Sequence, residues 1–399
     1  MKTTRKIATL MFVMLTALTI WGNHPWLTHV YEYRPAPGQF VNTMPICRVG
    51  EPVDSVLARC QASICGRLDT TVSVTQGTRV DTVWAESMIT LGGYGGYVVM
   101  GFDHPVVNCH DYDFEIWGNS FYSNIYSGGG SSEPGIVMVG VDMDGDGLPS
   151  DGDKWYELAG SEYNHPTTQH DYTITYYRPE IGKTPTPSHV DPNLNDTTYI
   201  RWTSNDVNPD STSGYMSRNI HHVQPYWPLW IQDETMTFSG EKLRCNAVDM
   251  GNNGGNSYFV LQNFAWGYAD NLPNNPDRIP VEGFYNPGFK IDWAVDEDGN
   301  PVNLTHIDFI KVYNGLNQYC GWLGETSTEV AGGIDFHPDA PMPAPLVGDV
   351  NGDGEVSIAD LNVLIGIILD NGFTAAADVD ADGEVGIADV NVLINLILE

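Results

Sequence analysis

The sequence predicts a mainly β protein, a jelly-roll-like antiparallel β-sandwich followed by a small all-α module. Three observations carry that expectation. Forty-two glycines and 25 prolines punctuate the 399 residues, cutting the chain into short β-branched and aromatic runs. Turns rather than helices separate those runs, as in packed antiparallel sheets. Residues 348–399 then depart from this pattern, with eleven acids, no Lys or Arg, and two apolar stretches at helical spacing.

The chain opens with Lys2, Arg5 and Lys6 and then an apolar run from Ile7 to Gly22, which reads as a secretory signal over residues 1–24. No later segment approaches the length of a membrane span, so the mature chain is expected to have no transmembrane segment and to be secreted, extracellular or associated with the cell surface. Six cysteines in an oxidising compartment permit up to three disulfides, with connectivity open.

Residues 25–335 form the expected sandwich. Val30–Asn42 reads as an extended segment entering turns, and Val53–Ile64 as the one helix of the first half. Strands are expected at 97–102, 112–117, 135–141, 155–158, 172–177, 257–262 and 306–313. In 112–117 the apolar residues Tyr112, Phe114 and Ile116 alternate with Asp113 and Glu115, predicting one buried and one wet face. Pro338, Pro341, Pro343 and Pro345 then make 336–347 a semi-rigid linker.

Acids outnumber bases 51 to 18, a formal charge of -33. A surface so negative is repelled by phosphate backbones, which excludes nucleic acid as a partner. Part of the acid has a regular arrangement. A shift of 29 residues superposes Asp349-Val-Asn351-Gly-Asp353-Gly-Glu355-Val-Ser357-Ile-Ala-Asp360 on Asp378-Val-Asp380-Ala-Asp382-Gly-Glu384-Val-Gly386-Ile-Ala-Asp389. Both read as twelve-residue calcium loops, because positions 1, 3 and 5 supply side-chain oxygens, position 7 a backbone carbonyl, and Gly at position 6 the sharp turn. Each is followed by an apolar helix, on Leu361, Leu364, Ile365 and Ile368, then on Val390, Leu393, Ile394 and Ile397.

This duplicated loop and helix, with Asp at position 12, resembles a type I dockerin over residues 348–399. The resemblance implies a module that folds on Ca²⁺ and plugs into a cohesin-type protein module, docking secreted polysaccharide-acting proteins onto scaffolds. It implies the ligands Asp349, Asn351, Asp353, Glu355, Ser357 and Asp360, then Asp378, Asp380, Asp382, Glu384 and Asp389. The cohesin-facing positions it implies are Ile358 and Ala359, and Ile387 and Ala388. They are the same in both repeats, consistent with binding in either of two orientations.

In the larger region, Asp142, Asp144 and Asp146, the carbonyl of Leu148, and Asp153 repeat the calcium-loop spacing, with a metal-free Asp-Gly turn as the alternative. Asp296–Asn300 reads as an ordinary turn. No catalytic residue is assigned: Glu115, Glu133, Glu157, Glu325 and Glu329 are all available, and no pair is privileged. Gly92–Gly96 lacks the Lys and helix of a phosphate cradle, and His221-His222 point to opposite faces of a strand. Trp117, Tyr122, Tyr226, Trp227 and Trp230 are the candidate sugar-stacking rings. The stretches 33–40, 92–108, 266–270, 307–312 and 324–330 are similar to a family of bacterial cell-surface proteins from gut-type anaerobes. That similarity implies an exported sandwich and transfers no active site. The combined expectation is a non-catalytic protein that binds a glycan or surface ligand and docks to cohesin, with an O-glycosyl hydrolase as the alternative.

Overall fold

The computed structural model describes residues 23–66, the backbone of 72–76 and 79–83, and residues 88–123, 129–251, 257–275, 278, 283–343, 346–352 and 354–398. The signal segment up to residue 22, Pro345 and the expected ligand Asp353 lie outside the described residues.

The protein is mainly β, and every strand pairing among the described residues is antiparallel. A six-stranded sheet runs in the order His29–Arg34, Tyr97–Gly101, Phe309–Asn314, Gly135–Val141, Lys154–Leu158, Ala294–Val295. A four-stranded sheet, Ser213–Asn219, Leu194–Ser204, Gln169–Tyr177, Thr235–Lys242, packs against it. Val98, Met100, Val137, Val139, Ile310 and Val312 from the first meet Tyr172, Ile174, Tyr176, Met236 and Phe238 from the second in one core. Alternation along the four-stranded sheet leaves Thr173, Thr175, Thr237 and Ser239 on its other, exposed face, whereas the six-stranded sheet buries Val99, Ile136, Phe309 and Tyr313 on its own other face. A second four-stranded sheet joins Ala247–Asp249, Phe259–Gln262, Gly129–Ser131 and Phe121–Tyr122. The expected helix forms over Val53–Ile64 and buries Val56, Cys60 and Ile64. All six cysteines are unpaired.

The half-wet strand at 112–117 is not what forms. Phe114–Trp117 is buried at every residue, and the flanking Asp113 is buried as well. The strand pairs with Gly332–Asp335 on one edge and bridges Phe289 on the other, and both faces are covered, since Phe114 and Ile116 on one and Glu115 and Trp117 on the other are all buried. Its acids turn inward onto backbone donors: Asp113 accepts from the N–H groups of Cys109 and Ile291, each at 2.8 Å, and Glu115 from that of Asn275 at 2.9 Å. Buried carboxylates persist where such donors replace water.

Beyond the linker, helices Ile358–Leu369 and Ile387–Leu398 pack through Val350, Leu364, Ala377, Val379 and Leu393. No helix among the described residues is long and apolar enough to cross a membrane.

Candidate functional site

Three loops share one hydrogen-bonding plan. At position 6, a glycine with positive φ (Gly147, Gly354 and Gly383) turns its N–H onto Oδ2 of the position-1 aspartate, at 2.8, 2.9 and 2.9 Å. A Cβ is strained in that conformation, which is why glycine stands there. At position 12, Asp153, Asp360 and Asp389 each accept the position-9 N–H on Oδ2, at 2.6, 2.7 and 2.7 Å. Their Oδ1 atoms take donors from positions 2 or 3: Met143, Val350 with Asn351, and Asp380. The loop at 142–153 is therefore folded as the two C-terminal loops are, although a strand rather than a helix follows it.

This plan gathers oxygens. Ligand atoms of Asp142, Asp144 and Asp153 lie within 4.8 Å of one another, and so do those of Asp378, Asp380 and Asp389. These are positions 1, 3 and 12 in both loops. Calcium–oxygen bonds of about 2.4 Å put opposed ligands about 4.8 Å apart, so the donor set and its span fit a hard divalent cation. Ser357 Oγ is engaged as the N-cap of Ile358–Leu369, accepting the Ala359 N–H at 3.1 Å. Asp296–Asn300 is a plain turn in which Asn300 and Asp298 donate to Asp296 Oδ1.

The two C-terminal helices also match in what they leave uncovered. Ile358, Ile365 and Leu369 are 66, 42 and 75% exposed, and Ile387, Ile394 and Leu398, 29 residues on, are 70, 37 and 79% exposed. Spacing of i, i+7 and i+11 puts each trio on one side of its helix. Ile365 and Ile394, members of the periodic apolar set read from the sequence, belong to these stripes, because a pair of short helices covers only one arc of each partner.

The aromatic residues chosen from sequence are placed differently from expectation. Trp117, Tyr226, Trp227 and Trp230 are buried and packed into the core, and Tyr122 is half-buried against Phe284. Trp230 stacks on Tyr33 and Tyr226 meets Tyr199 edge to face. No sugar reaches the four buried rings, because the sandwich needs them as core.

A cavity of about 570 Å³ instead takes its rings from Phe40, Phe121, Tyr258, Phe259 and Trp322, and its acids from Glu133, Glu325 and Glu329. The sheet carrying Phe121, Gly129–Ser131 and Phe259–Gln262 lines part of it, and segment 320–329 lines another part. Glu133 Oε1 accepts the Ser327 N–H at 3.1 Å, and Glu329 Oε1 the Thr90 hydroxyl at 2.8 Å. Behind them Asp270 takes three backbone donors, from Asn119, Ser120 and Glu329. Oxygens of Glu133, Asp270 and Glu329 lie within 4.8 Å of one another. Glu325 accepts from the Gln39 N–H, while its Oε2 is shut off from solvent with no hydrogen-bond partner among the described residues. Burial pushes Glu133 up to about 7 and Glu325 up to about 8, so both hold protons well above the ordinary carboxyl range.

Of the five glutamates available in the sequence, the fold thus brings Glu133, Glu325 and Glu329 together. Glu157 pairs with Glu241 between the two packed sheets, and Glu115 stands apart. The rings of the cavity carry no local sequence signal, since they come from four separate segments. Gly92–Gly96 is a turn, with Gly95 donating to the Asn314 carbonyl. His222 packs on Phe40 and His221 on Trp322.

Residues 347–398 match the family model described as the dockerin type I domain. No curated protein matches the chain.

Proposed function

We propose, from a C-terminal module that is a type I dockerin domain, that the protein is exported and docks through residues 347–398 onto a cohesin module, presenting a glycan-binding cavity on its N-terminal region. Dockerin domains bind calcium, and by loop position one ion would be held by Asp349, Asn351, Asp353, the Glu355 carbonyl and Asp360, and the next by Asp378, Asp380, Asp382, the Glu384 carbonyl and Asp389. Asp142, Asp144, Asp146, the Leu148 carbonyl and Asp153 would hold a third. Held there, an ion would offset the charge of the converging carboxylates and let the two C-terminal loops start their helices in register.

The observation that carries docking is the pair of matching exposed stripes. A partner groove that fits Ile358, Ile365 and Leu369 fits Ile387, Ile394 and Leu398 equally well. Isothermal titration against cohesin modules tests this. Because either stripe suffices, Ile358→Asp or Ile387→Asp alone weakens binding only about twofold, the loss of one of two equivalent modes. The double variant loses about a hundredfold or more, the scale of a central apolar anchor replaced by a charge. A single variant that abolishes binding would show that one orientation alone is used.

Five rings and three carboxyls around one cavity support the glycan reading, since rings stack on the C–H faces of sugars and carboxyls bind their hydroxyls. Affinity electrophoresis over a panel of neutral plant and host glycans checks it: at least one should retard the protein, and Trp322→Ala should abolish the retardation. Glu133 and Glu325 in that cavity favour a second reading, hydrolysis of a glycosidic bond by paired carboxyls. Released reducing sugar from a retarding glycan, lost in Glu325→Gln with retardation kept, is the result that reading requires.

A further inference from the structure

The first C-terminal loop does not hang free of the larger region. Gly352 lies over Val141 and Met143: a Cβ there would stand 3.6 Å from Val141 Cγ1 and 3.9 Å from Met143 Sδ. Gly354 faces the Asn303 backbone so closely that a Cβ would collide with its carbonyl oxygen. The Asn303 side chain then donates from Nδ2 to Glu355 Oε1 at 3.1 Å. The second loop has no such neighbour at the equivalent glycine, where a Cβ on Gly383 would meet nothing within 4 Å.

The platform under this contact is rigid. Val141 ends a central strand and is 4% exposed. Beside Asn303, Leu304 is buried and its carbonyl accepts from Asn108 Nδ2 at 2.9 Å. The chain entering the linker is also pinned, through Phe336 N–H to the Asp113 carbonyl and Asn23 Nδ2 to the Pro338 carbonyl. Met143 is position 2 of the 142–153 loop, so the contact brings two acidic loops side by side. Among the described residues, one loop carries Asp142, Asp144, Asp146, Asp151 and Asp153 and the other Asp349, Glu355 and Asp360. Eight carboxylates in two adjoining loops repel at neutral pH unless cations sit among them.

We infer that Val141, Met143 and Asn303 form a seat for the first loop of the dockerin, held only while the loops on both sides contain calcium. The partner this surface fits is the chain's own first dockerin loop at Gly352, Gly354 and Glu355, with the two glycines allowing the close approach. The inference rests on the reading of both loops as calcium sites. The seat fixes the direction in which the cavity-bearing region leaves the docked module, while both exposed stripes stay clear of it.

The full chain with saturating calcium tests the seat, by small-angle scattering and by the rate at which a protease cuts within the 336–347 linker. Met143→Glu with Asn303→Asp removes the thioether contact and the amide donor and adds two like charges. Its radius of gyration should rise and its linker should be cut several-fold faster, with helicity by circular dichroism unchanged. Asp144→Asn with Asp146→Asn should bind one calcium fewer by titration calorimetry and, because no ion then fixes the loop that presents Met143, should release the module in the same way. Wild-type dimensions and cutting rate in the first variant overturn the seat. Release in the first variant but not the second, with one calcium lost, overturns its calcium dependence alone. An unchanged calcium count in the second variant overturns the reading of 142–153 as a site, leaving the first variant to judge the seat.

Discussion

Asp360 and Asp389 are buried, yet each accepts at least two backbone N–H groups from its own loop and still has lone pairs for a cation. Replacing either carboxylate strands those donors. Asp389→Ala should cost about 2–3 kcal/mol, the scale of hydrogen bonds to a charged group, and weaken calcium binding in its own loop most. Asp389→Asn should do nearly as much harm, because its amide puts a donor against an N–H. Calcium titration followed by circular dichroism compares them, and an Asn variant with wild-type affinity would contradict this role. Spacing alone reveals such residues, because a loop's ligands are local in sequence. Glu133 and Glu325 are of the other kind. They stand 192 positions apart, and only the route of the chain around one cavity makes them neighbours.

The two terminal helices show what an element owes to its surroundings. Each has twelve residues, short for an isolated helix in water, and each is apolar on more of its circumference than one partner helix covers. The small shared core of Val350, Leu364, Ala377, Val379 and Leu393 must be set by loops that carry clustered acids. EDTA should therefore remove most of the helical signal contributed by residues 358–398, and excess calcium should restore it. Helicity that survives chelation would contradict calcium-dependent folding. Strands depend on their surroundings in another way. Alternation at 112–117 correctly marks a β-run, but pairing on both edges and cover on both faces decide that Asp113 and Glu115 go inside.

Across the whole molecule, several acids are held above their ordinary range by burial: Glu115 and Glu133 up to about 7, Glu157 and Glu325 up to about 8, and Glu241 up to about 10. Glu157 and Glu241 come from the two facing sheets, and His170 Nδ1 lies 2.8 Å from Glu241 Oε2. In the unfolded chain these groups titrate near about 4.3, so between that pH and their folded values the native state holds more protons. Its stability therefore falls as pH rises through that window. With calcium saturating, the urea midpoint of the N-terminal region should drop steadily from pH 5.5 to 9, and Glu241→Gln should flatten the drop. A midpoint that rises over this range would contradict the protonated pair.

The sequence by itself determined the β-rich class, the helix at Val53–Ile64, the duplicated C-terminal loops and the matching loop at 142–153. Each of these is written in residues a few positions apart, where turn chemistry and period act directly. Tertiary structure decided which rings are core and which line a cavity, which glutamates meet, and where the first C-terminal loop rests. Those outcomes depend on segments that may be hundreds of residues apart, and an aromatic or a carboxylate carries the same local signal whether packing leaves it in the core or at a cavity wall.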